Sequence, residues 1–169
     1  MYSPMIDPLA PNASASDKSA HYARVRSRIE SLLGGERDAI AIYATVACEL
    51  HWAFASYDWT GFYRRVGPEG LLIGPYQGSH GCLEISFSRG VCGAAARTRA
   101  TQVVPDVHAF PGHIACSSST QSEIVVPVLS PEGDVLAVLD VDSNRPAAFD
   151  GVDQEALESL CAWIGARAS

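Results

Sequence analysis

The chain has little of what marks several large functional classes. Basic residues are scarce: 12 Lys and Arg stand against 19 Asp and Glu, a net charge of −7. That leaves no basic face of the kind a nucleic-acid partner needs. It also disfavours an anionic membrane surface. No apolar run approaches the ~20 residues of a membrane span. The first 16 residues hold no Lys or Arg and no continuous apolar stretch. They read as neither a secretory signal nor a transit peptide, and a cytoplasmic location is expected. There is no Cys-x-x-Cys pair and no close-set cysteine spacing of a structural zinc site. Gly90-Val91-Cys92-Gly93 lacks the Lys-Ser/Thr that would make it a phosphate loop.

What is present is a core. The 169 residues are 47% apolar, enough for one domain that buries about two-thirds of its unfolded surface. Residues 1–18 carry Pro4, Pro8 and Pro11 among small polar residues and read as a flexible tail. A helix is expected from Ser19, with Tyr22, Val25, Ile29 and Leu33 at helical steps and Gly34-Gly35 as its stop. A second helix is expected from about Glu36 to Phe54, with Ile40, Ala44, Cys48 and Trp52 as its core stripe. Trp59 to Val66 and Leu71 to Gln77 read as a hairpin around Gly67-Pro68-Glu69-Gly70, and Leu83 to Phe87 as a short strand. Ala94 to Arg97 suits a short helix, with Cys92 in its first turn, where the helix dipole favours a thiolate. Pro105 to Thr120 is a long polar loop, a length that usually signals function. Glu123 to Leu129 and Val135 to Ser143 form a second hairpin, and Gly151 to Ala166 is a last helix with Cys161 on its apolar face. This order predicts an α+β fold: an antiparallel sheet with long helices packed on one face.

The chemistry concentrates between Gly78 and Ser143. Cys82, Cys92 and Cys116 fall in separate loops or turns, ten and 24 positions apart. Asp140 and Asp142 are two apart on one strand and so share a face. A two-residue turn at Glu132-Gly133 would set Glu123 opposite Asp142 on that face. Three carboxylates on one patch repel, and burial raises their pKa further, so one should hold its proton near neutral pH and serve as an acid. Cys116, in the polar loop, and Cys92, near a helix start, are the nucleophile candidates. Cys82 can resolve a sulfenic acid into a disulfide. His80 with Cys82, and His108 and His113 with Cys116, are zinc-type ligands, but their spacing matches no zinc pattern. Trp59, Phe62, Tyr63 and Tyr76 group on the first hairpin. They suit strand packing, or an aromatic rim for a methyl–sulfur group.

Several stretches carry a family resemblance. They are Asp58-Trp59-Thr60-Gly61-Phe62-Tyr63, Gly74-Pro75-Tyr76-Gln77-Gly78, Gly90-Val91-Cys92-Gly93, Gly112-His113-Ile114-Ala115-Cys116, Ser122-Glu123-Ile124-Val125-Val126-Pro127 and Val138-Leu139-Asp140-Val141-Asp142-Ser143. With these the chain, from about Ser19 to Ile164, resembles the free methionine-(R)-sulfoxide reductases, a GAF-fold family. The resemblance implies a single GAF-like catalytic domain over 19–169 with ligand loops on the sheet face away from the long helices. It implies that a loop cysteine attacks the sulfoxide of free methionine-(R)-sulfoxide, that a second thiol closes a disulfide, and that thioredoxin reduces it. No cofactor or metal is implied. Cys116 is assigned the attack and Cys82 the first disulfide, with Cys92 as rival nucleophile or relay. Glu123 and Asp142 would polarise the sulfoxide oxygen, Asp140 would help hold the ammonium, and Trp59, with Tyr63 and Tyr76, would wall the methyl end. The first helix could serve a homodimer as well as core packing. The alternative is a non-catalytic GAF module that senses a small ligand.

Overall fold

A computed structural model describes residues 5–112 and 118–168. Helix α1 spans Ala15–Leu33, α2 Ala39–Ala53, α3 Gly90–Thr98 and α4 Gly151–Gly165. The strands are β1 Trp59–Val66, β2 Gly70–Gln77, β3 Glu84–Ser86, β4 Gln102–Val104, β5 Ser122–Leu129 and β6 Val135–Ser143. They form one antiparallel sheet in the order β3-β2-β1-β6-β5-β4. The expected α+β architecture is therefore present.

Alternation along the strands separates two cores. Phe62 of β1, Ile124, Val126 and Val128 of β5, and Ala137, Leu139 and Val141 of β6 face α1, α2 and α4. The intervening residues, among them Trp59, Tyr63, Val125 and Val138, face α3 and the loops. The apolar run in β6 is covered on both sides, as a strand with no polar face must be. Among the described residues, no helix is long and apolar enough to cross a membrane.

Three expectations need correction. The first helix begins at Ala15, not Ser19, because the Ser14 hydroxyl accepts from the Asp17 N–H and caps it. The tail boundary at Lys18 therefore falls inside α1. Upstream of it, Leu9 forms an isolated parallel bridge with Phe54 and packs on the core. The second correction concerns α2. Its inward stripe is Ile42, Tyr43, Val46, Ala47, Leu50 and Ala53, while Ile40 and Trp52 are 46% and 54% exposed and Cys48 is half-buried. Almost every residue of α2 is apolar, so four-residue spacing alone cannot tell one face from the other; the broader stripe of large side chains wins the core. The third concerns the β5–β6 turn. Ser130 pairs with Asp134 across Pro131-Glu132-Gly133, a three-residue connection that uses Gly133 at φ 88°. A bulge between Val128 and Leu129 on the ladder, opposite Leu136, takes up the extra residue. The expected pair survives: Glu123 lies opposite Asp142.

Candidate active site

The site is built on the face of the sheet away from the three long helices. Glu123 is the second residue of β5. Antiparallel pairing sets it beside Asp142, and sets Val125 beside Asp140. On the other flank of β6, Trp59 lies opposite Asp142, Gly61 opposite Asp140 and Tyr63 opposite Val138. Three adjacent strands thus raise three carboxylates and two aromatic rings from one surface. Helix α3 crosses above them and brings Cys92 down: its thiol donates to Asp140 Oδ2 at 3.3 Å. A cavity of about 190 Å³ opens here, lined by Trp59, Tyr63, Cys92, Glu123, Asp140 and Asp142 together with loop residues.

The aromatic wall depends on close approaches. Trp59 stacks near-parallel on Tyr63 and on Tyr76, with ring centroids 5.9 and 5.3 Å apart. Its indole N–H donates to the Ser79 carbonyl at 2.8 Å, which fixes the ring's rotation. A Cβ at Gly61 would stand 2.4 Å from Tyr76 Cβ and 2.6 Å from the Trp59 ring. Glycine there is what lets the stack close. Tyr76 backs Trp59 and is not part of the cavity lining among the described residues. Its place in the described geometry is behind the aromatic wall.

Electrostatics divide the carboxylates. Burial, then the charges of Asp140 and Asp142, pushes Glu123 far above the usual carboxylate range. Burial, then Asp140 and Asp58, does the same to Asp142. Asp140 is pushed up by burial only to about 6, because hydrogen bonds from Cys92 and Glu123 favour its anion. Asp140 therefore ionises first while Glu123 and Asp142 keep their protons. One anion and two neutral acids side by side can hold a cation and donate hydrogen bonds to an oxyanion in the same small space.

Cys92 reverses its sequence expectation. It does occupy the third position of α3. Yet it is 4% exposed, and burial followed by the charges of Asp140 and Glu123 pushes its thiol well up. A helix end offers about half a unit of positive charge, too little against desolvation and facing carboxylates. Cys82 is disulfide-bonded and packs partly buried against the apolar cluster under the cavity. Cys116 and His113 lie outside the described residues. His80 lines the cavity, while His108 is exposed on a 3-10 turn.

Residues given no role from the sequence also join the site. Asp58 lines the cavity, accepts from the Asn144 N–H at 2.8 Å, and donates its own N–H to the Asp142 carbonyl at 2.9 Å. This clasp ties the start of β1 to the end of β6. Ser79, Thr120 and Asn144 also line it. Asp58 is the neighbour of Trp59 in sequence and Asn144 lies two past Asp142, whereas folding alone brings Ser79 to Trp59.

Comparison with known proteins agrees with this geometry. The GAF domain family matches residues 23–167. The free methionine-R-sulfoxide reductase of Saccharomyces cerevisiae is 46% identical over 124 residues, 72% of this chain and 65% of that protein. The free methionine-R-sulfoxide reductase of Escherichia coli is 35% identical over 88% of each chain. The structure of the Neisseria meningitidis free methionine-R-sulfoxide reductase in complex with its substrate superposes with a TM-score of 0.88 at 41% identity, covering 99% of this chain and 95% of that one. The shared α+β scaffold accompanies the sequence identity, and the chain belongs to the GAF family, in its free methionine-R-sulfoxide reductase branch.

Proposed function

We propose that the protein reduces free L-methionine-(R)-sulfoxide to methionine with cysteine thiols and is recycled by thioredoxin. The Cys116 thiolate attacks the sulfoxide sulfur. The oxygen takes up a proton, leaves methionine sulfur and ends on the cysteine as a sulfenic acid; methionine sulfur gains two electrons and the cysteine loses two. The Cys82 thiol then displaces water from that sulfenic acid to close a disulfide. Thioredoxin's dithiol reduces the disulfide and restores both thiols.

The observation that carries this reading is the division of the three carboxylates. Asp140, ionised above about pH 6, suits the substrate ammonium. Glu123 and Asp142, whose protons burial and like charge retain, suit the sulfoxide oxygen as its negative charge grows. Trp59 and Tyr63 offer flat apolar faces to the methyl–sulfur end. The disulfide at Cys82 supports its part as resolving thiol. The buried, protonated state of Cys92 supports giving the first attack to Cys116 and leaving Cys92 a later or auxiliary part.

The test is NADPH consumption coupled through thioredoxin reductase and thioredoxin, with each epimer of free methionine sulfoxide. Turnover of the R epimer alone is expected. Tight binding of either epimer without turnover would replace the reductase with a sensor module.

A further inference from the structure

The cluster under α3 has a second chemical capability. A Cys92 Sγ, a Glu123 carboxylate oxygen and an Asp140 carboxylate oxygen all lie within 4.8 Å of one another, and all three residues are buried. A tetrahedral zinc ion, with bonds of about 2.3 Å to sulfur and 2.0 Å to oxygen, holds the two donors about 3.5 Å apart. Cys92 Sγ and Asp140 Oδ2 already stand at 3.3 Å, with only the thiol proton between them. A second, independent feature points the same way. Asp140 is 6% exposed, and its other oxygen, Oδ1, has no hydrogen-bond partner among the described residues. A buried carboxylate oxygen left so is uncommon and costly. Among the described residues lining the cavity there is no Lys or Arg, and Asp58 stands beside the acid cluster.

We propose that this cavity is also a site for one thiophilic divalent cation of the zinc and cadmium class, held by Cys92, Glu123 and Asp140, and that the cation inhibits the protein. On binding, the Cys92 S–H bond breaks heterolytically. Its proton and the one that Glu123 otherwise retains pass to buffer, an electron pair of the sulfur and one of the Glu123 carboxylate are shared with the metal, and no electron is transferred. A remaining coordination position faces the cavity, where water can fill it. The site does not need the other thiols: Cys82 is disulfide-bonded while Cys92 stays free, so the oxidised protein keeps the whole donor set. Occupancy takes Asp140 away from a substrate ammonium and Glu123 away from a sulfoxide oxygen. The inhibitory half of this inference rests on the reductase reading; the binding half does not.

The experiment separates the two. The disulfide form of a Cys48→Ser protein is titrated with Cd²⁺ and followed by ultraviolet thiolate-to-cadmium absorption. Cys48 is removed because it is the half-buried free thiol elsewhere in the fold. Saturation at about one equivalent is expected. The band should vanish on adding Cys92→Ser, and the affinity should weaken by about tenfold or more in Asp140→Asn and Glu123→Gln. Circular dichroism of each variant checks that the fold is kept. No band, a band that survives Cys92→Ser, or an affinity indifferent to both carboxylate variants in folded protein would overturn the site. In the reduced protein Zn²⁺ should suppress methionine formation, and a chelator should restore it. Cadmium binding as described, in a protein that forms no methionine from either epimer, would leave the cation site standing and sink the reductase reading. Methionine formation that continues at saturating Zn²⁺ would overturn the inhibition.

Discussion

Single side chains divide the labour, and the division can be measured. Glu123 and Asp140 differ by one hydrogen-bonding arrangement: Asp140 receives bonds from Cys92 and Glu123, which hold its pKa to about 6, while Glu123 is driven far higher. Glu123→Gln should therefore slow the chemical step by about 10²-fold, with a smaller change in KM, since the oxygen's charge is fully developed only in the transition state. Asp140→Asn should raise KM more than it lowers kcat, and the wild-type KM should rise as pH falls below about 6. Stability moves the other way. A carboxyl whose folded pKa is raised stays protonated after the unfolded chain has released its proton, so folding stability falls as pH rises from about 4 upward. Thermal melts between pH 5 and 8 should show this decline, and Glu123→Gln should flatten it and melt higher than wild type at pH 8. An equal slope in both proteins would mean Glu123 ionises normally. That one of the three carboxylates should hold its proton was legible in the sequence; which of them ionises first was not. The sequence places Cys92 at a helix start, which argues for a thiolate; burial, then the facing Asp140 48 positions away, decides otherwise.

At the scale of elements, the β5–β6 hairpin and the aromatic hairpin make the site. The pairing of Glu123 with Asp142 was legible because period-two alternation and a short turn leave few registers. The turn itself was not, since the bulge opposite Leu136 offsets the third loop residue. Helix α2 shows the opposite case: an element apolar nearly all round gives a periodicity no face to select. Its cysteine and that of α4 therefore separate. Cys161→Ala, at a position 1% exposed, should cost about 1 kcal/mol, and Cys48→Ala less than about 0.5 kcal/mol, both read from denaturant melts, with activity per folded molecule kept. Gly61 is the more exacting position. Gly61→Ala drives a methyl to 2.4 Å from Tyr76 Cβ and 2.6 Å from Trp59. That should cost about 1–3 kcal/mol and shift the Trp59 fluorescence as the stack opens. A Gly61→Ala protein with unchanged stability and emission would show that the wall tolerates what the geometry forbids.

For the whole molecule, the sheet is a partition. One face is committed to α1, α2 and α4 and holds the fold together; the other carries the cavity, so the chemistry can tolerate buried acids that a stability-optimised core would exclude. The fold class and the three carboxylates were legible in the sequence because they are strand patterns. The clasp of Asp58 and Asn144 was not, because it depends on where chain ends meet after folding. On the proposed function, the small acid-lined cavity also predicts the substrate scope. A sulfoxide inside a peptide lacks the free ammonium that Asp140 would hold, and its turnover should be poor. The most direct measurement is rapid-quench counting of methionine released per site when fully reduced protein meets free methionine-(R)-sulfoxide without thioredoxin. Wild type and Cys82→Ser should each release about one methionine rapidly in the first turnover, and Cys116→Ser none. No release by wild type, or a full turnover by Cys116→Ser, would contradict the account.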